Sequence, residues 1–66
     1  MKITDHQKSR ILYELKKASC KTEIWNDLEV VDKGAASDII SAFHRGDRDI
    51  ALNQLKHLIP TYESGI

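Results

Sequence analysis

Three histidines, one cysteine and two closely spaced aspartates are the side chains in this 66-residue chain with the chemistry for catalysis or metal binding. His6, His44 and His57 lack the paired His or Cys spacings of a zinc site, so they read as surface residues. Cys20 has Lys17 and Lys21 nearby, the kind of surroundings that activate a thiolate, but no histidine in a recognisable context to act as its base. It reads as a small half-buried residue. Asp47 and Asp49 flank Arg48, yet this stretch lacks the length and the closing glutamate of a calcium-binding EF-hand loop, and helix capping accounts for both acids. There is no Gly-rich phosphate loop and no nucleophile elbow. The sequence therefore predicts a non-enzymatic protein with no metal and no cofactor.

Charge offers more. The formal net charge is zero, but residues 1–21 hold six basic and two acidic residues while residues 22–66 hold four basic and eight acidic ones. The two halves thus carry +4 and −4, and a folded molecule would be electrically polarised. Lys2, Arg10, Lys16, Lys17 and Lys21 suit the backbone of a nucleic acid, with Tyr13 available to stack on a base. The competing reading of these residues is a solvated helix face. Glu23, Asp27, Glu29, Asp32 and Asp38 fall within sixteen residues that contain one lysine, and they suit a basic site on a protein partner instead. Solubility alone is the competing reading there.

These residues must be held by helices. Thr4 and Gln7 fit a capping box that starts a first helix. Ile11, Leu12, Leu15 and Ala18 give it a buried face, while Arg10, Glu14, Lys17 and Lys21 share a solvated stripe. Thr22 is a candidate cap for a short second helix with Ile24, Trp25 and Leu28 turned inward. Asp32 caps a third, in which Ala36, Ile39, Ile40 and Phe43 recur at helical spacing. Gly46 ends that helix in a left-handed conformation and Asp47 caps the next, giving a helical hairpin. Ala51, Leu52, Leu55, Leu58 and Ile59 line the fourth helix until Pro60 stops it.

Two parts of this layout resemble a short helical domain of phage-encoded recombination proteins, often appended to single-strand annealing proteins and nucleases, and a small family of unknown function. Thr4, Gln7, Ile11 and Leu15 match its first motif. Val31, Asp32, Lys33, Ala36, Ser37, Ile40 and Phe43 match its second, with Asp32 in the place of a capping threonine. The resemblance spans about two thirds of the chain and implies an accessory role in DNA replication or recombination, with no catalytic residues to carry over. A small inhibitor that binds a host or defence protein through its charged surface is the alternative.

The expected fold is all-α, a small three- or four-helix bundle with a C-terminal helical hairpin. Residues 1–60 form one domain, and residues 61–66 form a tail. The expected core is Ile11, Leu15, Trp25, Leu28, Ile39, Ile40, Phe43, Leu55 and Leu58, with Trp25 pinning the linker. A chain this short hides only about 60% of its unfolded surface, so a second copy covering the last helix is a third candidate partner. A lone cysteine points to a reducing compartment, the cytoplasm. No apolar run approaches the ~20 residues of a membrane span, and no leader precedes the first helix.

Overall fold

The computed structural model describes residues 1–62. They form three α-helices, α1 (Asp5–Lys17), α2 (Lys33–Arg45) and α3 (Arg48–Leu58), with one 3-10 turn, Asp27–Val30, in the connector between α1 and α2. No β-strand forms among the described residues, and the chain is a small all-α bundle with α2 at its centre, packed on both α1 and α3.

Local chemistry sets each helix boundary. The Thr4 hydroxyl accepts from the Gln7 backbone N–H at 3.1 Å, and the Thr4 N–H donates back to Gln7 Oε1 at 3.0 Å, completing the capping box. Asp32 caps α2 by accepting from the Gly34 N–H at 2.9 Å. Helices α1 and α2 stop in the same way. A residue in the left-handed region follows the last turn, and the next N–H reaches back five residues to a carbonyl: Cys20 to Leu15 at 2.9 Å behind Ser19, and Asp47 to Ala42 at 2.9 Å behind Gly46. Asp47 departs from expectation. It opens α3 without a capping hydrogen bond, because its carboxylate is drawn to Arg45 Nε at 3.2 Å.

The connector is where the expected second helix fails. Thr22 caps nothing helical; residues 20–24 are irregular and only the 3-10 turn follows. Outside a helix, neighbouring side chains point apart, so burying Ile24 turns Trp25 outward. Trp25 is 40% exposed and is not a core residue. The connector is anchored instead by Cys20, Ile24, Leu28 and Val31, all buried.

The connector also brings the starts of α1 and α2 to one end of the molecule. Lys2 and Asp32 form an isolated antiparallel bridge, Lys33 N–H donates to the Met1 carbonyl at 2.7 Å, and Gln7 Nε2 donates to the Lys33 carbonyl at 3.1 Å. Ile11, Leu15, Leu28, Ala36, Ile39, Ala51 and Leu55 form the fully buried centre, while Ile40, Phe43 and Leu58 pack only partly against it.

Ile59 leaves the helical region, with φ −124° and ψ 83°, as the residue before a proline favours, and α3 ends there. Tyr62 then turns inward. It is buried, and its hydroxyl donates to the Lys21 carbonyl at 3.0 Å, so the expected tail does not begin at residue 61; residues 63–66 of that tail lie outside the described residues. No helix among the described residues is long and apolar enough to cross a membrane.

Candidate nucleic-acid interface

On α1, residues four, seven and eleven apart return to one side of the helix, which places His6, Arg10, Tyr13 and Lys17 along one stripe. Tyr13 is 55% exposed and has two cations close to its ring. Arg10 Cζ lies 5.7 Å from its ring centroid and Lys17 Nζ lies 5.4 Å away, both within cation–π range. Glu14 holds the pair in place: Arg10 Nη2 is 3.2 Å from one of its oxygens and Lys17 Nζ is 3.5 Å from the other.

Glu14 was expected on the solvated stripe with its partners. It is instead buried, 6% exposed, with one carboxylate oxygen paired to Arg10 and the other to Lys17. This changes what the stripe presents. Among the described residues, the acid next to that stripe is buried and paired with both cations, so the accessible charge there is positive.

The other expected nucleic-acid ligands do not all join this stripe. Lys16 is exposed and without an ion-pair partner among the described residues, but it stands about 120° around the helix from Arg10. Lys21 lies beyond α1, lining a cleft with Glu23, Ile24, Asp27, Thr61 and Tyr62. Lys2 is separate again, in the bridge to Asp32, with its ammonium 3.6 Å from Glu29. The structure thus brings together Arg10, Tyr13 and Lys17 and leaves Lys2, Lys16 and Lys21 apart.

The acidic set is divided more thoroughly. Glu29 pairs with Lys8, a lysine only 1% exposed whose ammonium lies 5.0 Å from the Trp25 ring centroid. The hydrogen bond and charge of Lys8 hold the Glu29 carboxyl below its ordinary range. Asp32 is also lowered, chiefly by a hydrogen bond from the N-terminal ammonium at 3.0 Å and also by the Gly34 N–H. Both carboxylates therefore serve the junction between α1, the connector and α2. Glu23, Asp27 and Asp38 remain exposed; the first two share one cleft, whereas Asp38 lines a groove between α2 and α3.

Two features escaped the sequence reading. The first is the inward seat of Lys8, four residues from Thr4 and on the core side of α1, which its residue type gave no reason to expect. The second is a cleft between α1 and α2 lined by His6, Arg10, Ile40, Ser41, His44 and Arg45. The i, i+3, i+4 spacing of Ser41, His44 and Arg45 was legible, but their nearness to His6 and Arg10 depends on how the two helices pack. Among the described residues, no three His, Cys, Asp or Glu side chains converge to hold a metal ion. No family model matches this chain, and neither the curated proteins nor the solved structures contain a match to it.

Proposed function

We propose that this chain is a non-enzymatic binding module that docks on single-stranded nucleic acid through the outer face of α1, as a phage-type accessory to DNA replication or recombination. The observation that carries this reading is the exposed Tyr13 ring with both Arg10 and Lys17 within cation–π range of it, while the acid those cations share is buried. Single strands offer unstacked bases and a phosphate backbone, and such a site meets both: the ring takes a base and the two cations take neighbouring phosphates. The link to replication or recombination rests on the resemblance of the capping and core motifs in α1 and α2.

Binding a basic protein through the acidic surface is less well supported. Two of its five carboxylates, Glu29 and Asp32, are engaged within the fold, and the remaining three are split between two clefts.

The reading is tested by charge reversal at two exposed lysines. Lys17→Glu is expected to weaken binding of labelled oligo-dT by roughly tenfold or more, since it removes one phosphate contact and adds a repulsion. Lys56→Glu on α3 makes the same change in net charge away from the stripe and should change affinity by only about twofold. Equal losses for the two variants would place the interface elsewhere.

A further inference from the structure

Arg10 belongs to two sites at once, since it flanks Tyr13 and also lines the cleft between α1 and α2. That cleft has a volume of about 540 Å³ and is walled by two guanidinium groups, two imidazoles, the Ser41 hydroxyl and the apolar side of Ile40. Among the described residues, no carboxylate lines it. The other four clefts described on this molecule each include at least one, from Asp38, from Asp47 and Asp49, from Asp49 alone, or from Glu23 and Asp27. In a chain with as many acids as bases, this cleft offers an anion donors with no carboxylate among its lining residues, although its two arginines are each paired with an acid outside it, Glu14 and Asp47.

The donors are also under-used. Arg10 spends Nη2 on Glu14, while its buried Nε has no hydrogen-bond partner among the described residues, a costly state for a charged group's N–H. Arg45 spends its Nε on Asp47 and keeps its terminal nitrogens. The end of α2 is the negative end of its dipole and would repel an anion, but the Ala42 and Phe43 carbonyls already accept from Asp47 and Gly46, and His44 and Arg45 stand over that end.

We propose that this cleft seats a backbone phosphate of the strand whose base stacks on Tyr13, with Ser41 and His44 as hydrogen-bonding groups and Arg10 and Arg45 as the charges. The proposal rests on the nucleic-acid reading and extends it: it fixes the path of the strand, from the Tyr13 ring across Arg10 towards the end of α2. It also gives His44 a role as a phosphate ligand in place of the surface role its sequence context suggests.

The test compares Ser41→Glu with Asn53→Glu, which adds the same charge in the groove between α2 and α3. Both positions are exposed, and melting curves establish that each variant folds. Ser41→Glu should weaken oligo-dT binding by about tenfold and Asn53→Glu by no more than about twofold. Arg45→Gln against Arg48→Gln should give the same split by removing charge rather than adding it. If the variants of each pair behave alike while the parent protein binds oligo-dT, the phosphate seat is wrong and the α1 reading stands. A parallel titration with inorganic phosphate, followed through the backbone amides of Ser41 and His44, separates the remaining cases. Shifts there without oligo-dT binding would mean a seat for free phosphate, overturning both the strand path and the nucleic-acid reading. No shifts and no oligo-dT binding would overturn both as well.

Discussion

At the scale of single residues, the fold is closed by groups that the pattern of apolar spacing does not identify. Tyr62 shows this most clearly. Burial, and secondarily the nearby Cys20, push its phenol up to about 12 from an ordinary value of 10.0. Folding therefore favours the protonated phenol. Its contribution is complete below pH 10 and is lost as pH rises from there through about 12. Glu29 and Asp32 work in the opposite direction: their folded values are lowered, so their contribution is present above the ordinary carboxylate range and is lost as pH falls through the lowered values. Tyr62→Phe should lower stability by about 1 kcal/mol at neutral pH through loss of the hydrogen bond to the Lys21 carbonyl. The gap between variant and parent should then narrow above pH 10, which chemical denaturation at pH 7 and pH 11 would measure. A gap that widens with pH would contradict this role.

At the scale of elements, the starts of α1 and α2 were legible, whereas the end of α1 was not and the start expected at Thr22 does not form. Thr4, Gln7 and Asp32 carry their capping chemistry in their side chains, so local sequence suffices. Gly46 marks the end of α2 because glycine adopts a positive φ without cost, and its φ is 86°. Ser19 ends α1 through the same hydrogen-bond pattern with a φ of 58°, but nothing in a serine advertises it. The chain accepts a strained residue there because the next one, Cys20, is buried beside Leu15. Ser19→Gly should therefore raise stability by about 1 kcal/mol and Gly46→Ala lower it by about as much, although a Cβ at position 46 would meet nothing within 4 Å. For a domain of this size each change should move the melting temperature by roughly 4–8 °C. A melting temperature unchanged by Ser19→Gly would mean that the backbone at residue 19 relaxes.

At the scale of the whole molecule, the all-α class and the two main apolar faces follow from periodicity, and the hairpin of α2 and α3 from the tight Gly46–Asp47 connection between them. What periodicity could not supply was the course of residues 18–32. Ile24, Trp25 and Leu28 fit a helical spacing, but three points fit other arrangements equally well, and here the core takes Ile24 and Leu28 and leaves Trp25 on Lys8. Leu28→Ala should cost about 2–5 kcal/mol through lost burial and a cavity, and Trp25→Ala distinctly less, a ranking that thermal melts would reverse if Trp25 were the true anchor. The candidate site was half legible for a related reason. The residue types of Arg10, Tyr13 and Lys17 pointed to nucleic acid, whereas the burial of Glu14 and the cleft shared with α2 arise only once the helices pack.

The electrical polarity expected from sequence is reduced in the fold, since Lys8 and Lys2 reach Glu29 and the N-terminus reaches Asp32. What remains accessible on α1 is a short cationic stripe around one aromatic ring. The most direct test of its role is a fluorescence-anisotropy titration of labelled oligo-dT across a series of salt concentrations. Contact by Lys17 with one phosphate and by Arg10 and Arg45 with a second predicts that the logarithm of the binding constant falls with the logarithm of salt at a slope of roughly −1.4, from about two phosphates on a single strand. Absence of binding at the lowest salt, or affinity that does not change with salt, would contradict it.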